Sequence, residues 1–280
     1  MRNTLSVVQA ASAWETGKLR ATPRRSLAEL LAPLDRVAVH SPNIVVNRDA
    51  RFEVDGESYV LPRYLFVGPR GGDAPIRIGI FAAIHGNEPE GAYATAQFLQ
   101  FLEIYAELAA GYCLSIYPVC NPTGFEDNTR HSRRGKDLNR EFWSQSSEPE
   151  VGLLQAELTS HSFHGIISLH AHESNDGFYG IVNGPTLNKN LIEPALQAAD
   201  AFLPLDKREW IDGFPARHSV VRESLPGVLS APPVARPRPF EIVLEAPKGH
   251  PAYLTECAFV AALQSILTGY RKFIAYARNL

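Results

Sequence analysis

An α/β three-layer sandwich, with a mixed, mainly parallel central sheet flanked by helices, is the fold class that this 280-residue sequence predicts. Two observations lead there. From residue 76 onward, short apolar runs alternate with amphipathic stretches, the order in which strands and crossover helices share one sheet. The first run, Ile76 to Ile84, is apolar at nearly every position and not at every second one, as in a strand covered on both faces. There is no internal repeat and no composition shift that marks a second full domain. The expected division is residues 1–50 as an N-terminal helical extension packed on the main domain, and residues 51–280 as that domain.

The elements follow in chain order. Leu5 to Ala13 is weakly apolar, carries Gln9, and has only Arg2 as a nearby positive charge, so it reads as a short helix and not as a signal peptide. Ser26 and Glu29 have capping-box spacing ahead of Leu30 and Leu31, which starts a helix. Phe52 and Val54 alternate, Asp55-Gly56 is a tight-hairpin signal, and Tyr59 to Val67 supplies the partner, a ribbon at one edge of the larger sheet. After the strand from Ile76, Pro89 suits the first helical position and makes Glu88 the N-cap. That helix runs through Ala92, Ala96, Leu99 and Leu102 to Gly111. Cys113 to Cys120 is a strand closed by the turn Asn121-Pro122-Thr123-Gly124. Residues 125–142 are polar with four arginines, Pro149 to Leu158 is helical, and Gly165 to Leu169 is a strand ending in His170-Ala171-His172-Glu173. A helix lies within Pro185 to Leu203, interrupted or restarted at Pro194. Residues 204–239 show no period, the mark of a segment that shapes a binding mouth. Phe240 to Leu244 is the last strand, followed by Glu245, and Pro251 to about Arg278 is a long amphipathic helix.

Composition narrows the function. A net charge of −3 and a pI near 6.3 argue against a nucleic-acid partner held through its phosphates. No apolar run approaches the ~18–20 residues of a membrane span. Cys113, Cys120 and Cys257 are odd in number, lack paired metal spacing and read as buried thiols, which points to a cytoplasmic location.

Three strands end in ionisable residues: His85 with Glu88 close behind, His170, and Glu245. In an open α/β sheet such ends meet along one edge, where ligands gather. Two imidazoles and one carboxylate are good zinc ligands that leave a fourth position free, the pattern of a catalytic and not a structural ion.

Five motifs now stand in order: His85-Gly86-Asn87-Glu88, Asn121-Pro122-Thr123-Gly124, Asp137-Leu138-Asn139-Arg140, Leu169-His170 and Leu244-Glu245. Over about residues 76–270 the chain resembles the zinc carboxypeptidases and their relatives, the succinylglutamate desuccinylases and aspartoacylases. The resemblance implies one Zn2+ per chain on His85, Glu88 and His170, and Glu245 as general base and then proton donor. It implies Arg130 as the oxyanion's partner, and Asn139 with Arg140 as the clamp on a substrate's terminal carboxylate. Arg133 and Arg134 read as solvated or paired, and Asp137 as an acceptor that orders the arginine loop. Glu241, four residues before Glu245, competes for the base but precedes the apolar run that the family's carboxylate follows. His172 and Glu173 read as groups that orient the first ligands, with a second, co-catalytic metal as the alternative. The chain departs from digestive carboxypeptidases in having no tyrosine between Tyr179 and Glu245.

The expected activity is that of a metallocarboxypeptidase, hydrolysing the amide next to a peptide's free C-terminal carboxylate with zinc-activated water and a glutamate base. An N-acyl amino acid amidohydrolase is the alternative within the class, and a catalytically silent binding module the alternative outside it. The expected partner is a peptide or a small N-acyl amino acid, with no nucleic acid and no membrane. Arg217, Arg222, Arg236 and Arg238 would favour acidic side chains if they reach the pocket. Oligomeric state is not legible.

Overall fold

The computed structural model describes residues 24–70, 74–173, 176–182, 188–223 and 225–278; the helix expected at Leu5 to Ala13 lies outside them. Ser26 caps the first helix, α1 (Leu27–His40), its side-chain oxygen accepting from Glu29 N at 3.1 Å. Strand β1 (Ile44–Asn47) follows, then β2 (Arg51–Val54), β3 (Glu57–Val60) and β4 (Arg63–Val67). Asp55 and Gly56, at φ +53° and +78°, turn β2 into β3 as a two-residue hairpin requires.

The ribbon differs from expectation. β2 and β3 form their own two-stranded sheet, and the chain breaks at Leu61-Pro62 before β4 enters the main sheet. Phe52, Val54, Tyr59 and Leu61 are buried against a face of the domain, which holds the ribbon there and not at the sheet's edge.

The core elements are β5 (Ile76–Ala82), α2 (Glu90–Ile104), β6 (Tyr112–Tyr117), α3 (Pro122–Asp127), α4 (Pro149–Ser160), β7 (Gly165–His172) and β8 (Tyr179–Val182). After these come α5 (Glu193–Ala199), β9 (Trp210–Ile211), β10 (Phe214–Arg217), β11 (Val220–Val221), β12 (Phe240–Pro247) and α6 (Ala252–Arg278). Among the described residues the main sheet has ten strands, in the order β1-β4-β6-β5-β7-β12-β8-β11-β10-β9. Its centre, β6-β5-β7-β12, is parallel, and antiparallel pairs extend it on both sides.

Helices α1, α2, α5 and α6 cover one face. Phe98, Leu99, Phe259 and Leu263 bury there against Ile78, Ile80 and Leu244. On the other face α4, through Val151, Leu154 and Leu158, packs with the ribbon over Phe81, Tyr117 and Ile166. The Phe81 and Tyr117 rings stack with centroids 4.5 Å apart. Burying each such side chain contributes about 1.5–3 kcal/mol. By length and a mean hydropathy of 1.2, α6 is apolar enough to cross a bilayer. Its Ala258, Phe259, Ala262, Leu263 and Ile266 are instead buried in the core.

Two helix starts and one end also differ from the sequence reading. Pro89 and not Glu88 is the N-cap of α2, with no side-chain cap, because the Glu88 carboxylate is turned elsewhere. The helix stops at Ile104, and Gly111 at φ +79° opens the approach to β6. Asn121-Pro122-Thr123-Gly124 starts helix α3: Pro122 takes N1 and the Asn121 carboxamide oxygen accepts from Gly124 N at 2.8 Å.

Candidate functional site

Strands β5, β7 and β12 deliver their carboxyl ends to one edge of the sheet. Beyond β5 the chain turns through Ala83 at φ +49°, and His85 and Glu88 follow within one tight turn. His170 and Glu245 sit opposite each other in the β7–β12 register. His85, Glu88 and His170 are all buried, with ligand atoms within 4.8 Å of one another.

The donor set suits a metal ion. His85 Nδ1 lies 2.7 Å from Glu88 Oε1, His170 Nδ1 3.0 Å from Glu88 Oε2, and the two Nδ1 atoms 3.3 Å apart. Ligands at tetrahedral zinc distances of ~2.0–2.1 Å would themselves stand roughly 3.3 Å from one another. Asp137 completes the arrangement from outside. Its Oδ1 stands 3.2 Å from His85 Nε2, where it would hold that ring's proton and leave Nδ1 for a metal ion. The backbone N–H of Ala171 holds Glu88 Oε2 at 3.2 Å. Burial would raise the Glu88 carboxyl, but His170 and His85 hold it well below the usual carboxylate range. Asp137 is also held low: burial is outweighed by His85 and by the charges of Arg130 and Arg140.

A cavity of about 490 Å³ opens over this centre, a size suited to a small substrate or a chain end. Glu245 lines it, and its carboxyl is pushed up to about 8, chiefly by burial, with His170 opposing and the charges of Glu88 and Asp212 adding to the rise. Arg130 lines it beside Glu88, its Nη1 3.5 Å from Oε1, and is anchored by Nε donating to Asp137 Oδ2 at 3.1 Å. Asp137 also accepts from Asn139 N at 3.0 Å, so one carboxylate orders the loop from Arg130 to Arg140 and the His85 ring. Asn139 and Arg140 form part of the same wall. The Asn139 side-chain oxygen accepts from Leu229 N at 2.8 Å, which leaves its N–H groups as the donors for a ligand. Arg140 Nη1 donates to Asn139 O at 2.7 Å.

The structure brings all seven of these residues to one cavity and leaves their competitors outside it. Arg133 pairs with Asp127 at 2.8 Å and Glu57 at 2.6 Å and lies over the Tyr59 ring. Arg134 reaches Ser147 O. Glu241 accepts from Ala231 N at 2.8 Å and braces the chain before β12.

Sequence reasoning missed one wall. Tyr179 of β8 is paired in register with Glu245, and its buried hydroxyl donates to the carboxylate of Asp212, in the β9–β10 hairpin. The signal was there: Asp212-Gly213 between Trp210-Ile211 and Phe214 is a hairpin dipeptide. Burial first, then the charges of Glu245 and Asp212, raise the Tyr179 phenol and keep it protonated. On this side the cavity is lined by the carboxylates of Glu173, Asp212 and Glu223, and by none of Arg217, Arg222, Arg236 and Arg238. The preference for acidic side chains that those arginines would have created therefore has no support. His172 packs against Tyr179 with ring centroids 5.3 Å apart, and Glu173 pairs with Lys248 at 2.6 Å. Among the described residues His85, Glu88 and His170 are the group of three donors found close enough to hold an ion.

Residues 75–208 match the family model of the succinylglutamate desuccinylase/aspartoacylase catalytic domain. No curated protein sequence matches the chain. Among solved structures, a candidate metallopeptidase from Shewanella denitrificans OS217 shares 23% identity at a TM-score of 0.70, covering 86% of this chain and 89% of that one. A metallo-carboxypeptidase from Burkholderia cenocepacia shares 17% at 0.69, covering 89% and 70%. Carboxypeptidase A from Helicoverpa armigera shares 19% at 0.66, covering 91% and 75%. Domain match and fold agree on the class: the chain is a metallohydrolase. Residues 75–208 resemble the succinylglutamate desuccinylase/aspartoacylase catalytic domain, and the fold is shared with the metallopeptidase and metallo-carboxypeptidase structures.

Proposed function

We propose that the protein hydrolyses the amide bond next to the free C-terminal carboxylate of a peptide, with zinc as its metal. The observation that carries this reading is the juxtaposition, across one cavity, of the His85–Glu88–His170 donor set, Glu245 and the Asn139–Arg140 wall. Zinc held by the three donors would polarise the scissile carbonyl and lower the pKa of water towards ~7. Glu245, on the neighbouring strand, takes the proton of the attacking water and returns it to the leaving amine. Arg130, held in place by Asp137, faces the developing oxyanion, and a preorganised donor of that kind contributes about 2.7–4 kcal/mol. Arg140 presents a guanidinium fork suited to bidentate grip of a carboxylate, and Asn139 adds N–H donors.

A second reading keeps the same machinery and changes the substrate to an N-acyl amino acid. The match of residues 75–208 to the desuccinylase/aspartoacylase domain supports it. Both substrates end in a free carboxylate, so the Arg140 wall serves either. Hydrolysis of a panel of C-terminal peptides beside N-acyl amino acids by zinc-loaded protein decides between them. Turnover of peptides supports the first reading, and turnover of N-acyl amino acids alone replaces it with the second. A protein that binds zinc and cleaves neither panel would favour a silent binding module. The three free thiols are compatible with the cytoplasmic location that we retain as part of the proposal.

A further inference from the structure

The loop that carries His85 and Glu88 is held from two sides, and one side comes from outside the family-matched region. The carbonyls leading into it are satisfied one after another. Ala82 O accepts from Cys120 N at 2.9 Å, Ala83 O from Asn121 N at 3.0 Å, and Ile84 O from the Asn121 side-chain amide at 3.3 Å. His85 O accepts from Glu88 N at 3.1 Å. The next carbonyl, Gly86 O, lies between two of the donors and accepts from Arg25 Nη1 at 3.0 Å.

Arg25 is itself well fixed. Its backbone N–H donates to Glu126 O at 2.8 Å, and its guanidinium lies 5.4 Å from the centre of the Phe125 ring. Directly after it, Ser26 caps α1, and Leu30 of that helix is buried in one cluster with Phe125, Val119, Ala92 and Ala83, the residue at φ +49°. On the opposite side Gly86 leaves no slack: a Cβ there would stand 1.9 Å from Gly124 C at the start of α3. The turn is thus wedged by α3 and tied by Arg25.

We infer that Arg25, just ahead of helix α1, is a positioning residue for the metal centre, fixing the turn from which His85 and Glu88 project. The inference rests on the reading of His85, Glu88 and His170 as metal ligands. Losing the guanidinium leaves Gly86 O without its partner and frees the turn between two donors. Groups hydrogen-bonded to the ligands themselves typically carry about 10–100-fold in metal affinity; Arg25 acts one step further out, through the backbone carbonyl of Gly86.

The test is Arg25→Met and Arg25→Lys in the full chain. Zinc affinity is measured by competition with a chromophoric chelator, the visible spectrum after Co2+ loading reports the ligand geometry, and the melting temperature of the metal-stripped protein reports folding. Arg25→Met is expected to weaken zinc by up to roughly 10-fold, the low end of that range, and to alter the Co2+ bands. Arg25→Lys, which keeps a cationic donor, should recover a large part of both. Wild-type affinity and spectrum in folded Arg25→Met overturn the inference, as does a change confined to the melting temperature. If Arg25→Met does not fold, Arg25→Gln is measured in its place against the same two outcomes. Wild-type protein that binds no zinc overturns the metal reading itself, an outcome distinct from wild-type binding that Arg25 does not influence.

Discussion

Replacing Gly86 by alanine adds one methyl group at the tightest point of the metal loop. The new Cβ would lie 1.9 Å from Gly124 C, 2.2 Å from Phe125 N and 2.3 Å from Gly124 O. All three are backbone atoms, so no side chain can swing aside. Relief requires the closest contact to open beyond 3.0 Å, a displacement of more than an ångström. Helix α3 cannot easily supply it, because Asn121 caps that helix and also holds Ala83 O and Ile84 O. The movement therefore falls on the turn with His85 and Glu88. Overpacking of this sort costs about 1–3 kcal/mol of stability. A misplacement near 1 Å costs about 10²-fold in rate, or roughly 2.7 kcal/mol of barrier at 1.36 kcal/mol per tenfold. The assays are thermal unfolding, zinc affinity and kcat/KM on the substrate that the panel identifies. Gly86→Ala should melt lower, bind zinc more weakly and lose about two orders of magnitude in kcat/KM. A variant with wild-type melting, affinity and rate would refute the claim that this packing sets the metal geometry.

Other outcomes follow from the same contacts. Asp137→Ala removes the acceptor of His85, Arg130 and Asn139 together; zinc affinity should fall by about 10–100-fold, with a larger loss in kcat, and unchanged titration of zinc would count against its role. Glu245→Gln should keep zinc and lose nearly all turnover, and near-normal activity would remove Glu245 as the base. Arg140→Ala should raise KM far more than it lowers zinc affinity, which steady-state kinetics beside chelator competition would show. Glu57 is held down to about 2 by the Tyr59 hydroxyl and then by Arg24 and Arg133. A lowered folded pKa adds stability above the unfolded value of ~4.3 that is lost as pH falls through the folded one. The melting difference between wild type and Glu57→Gln should thus be steady above pH ~5 and shrink towards pH 2; a difference that grows on acidification would reverse the sign.

Much of the site could be read from the chain because its residues stand where periodicity breaks. His85, His170 and Glu245 each end or follow an apolar run, and buried parallel strands make such runs conspicuous. Glu88 reads from the sequence both as a metal ligand and as the N-cap of α2, and the structure gives the cap to Pro89. The position of Glu88 before proline suits a cap, and only the fold shows His170 and Ala171 N drawing the carboxylate away. The hairpin ribbon was legible and its location was not, since alternation in Phe52 and Val54 says that one face is buried without saying against what. The Tyr179–Asp212 wall and the Arg25 tie rest on contacts between residues 33 and 61 apart in sequence, carried by strands of two to four residues and by a loop. The Asp212-Gly213 dipeptide marks a hairpin but not its partner Tyr179, and nothing local marks the Arg25 tie.

The most direct test of the whole account is titration of zinc into metal-stripped protein by calorimetry, with His170→Ala alongside. Wild type should take up one ion per chain with high affinity, and His170→Ala should lose that binding while remaining folded. No uptake by wild type, or equal uptake by His170→Ala, would contradict the assignment of His85, Glu88 and His170 as the metal centre.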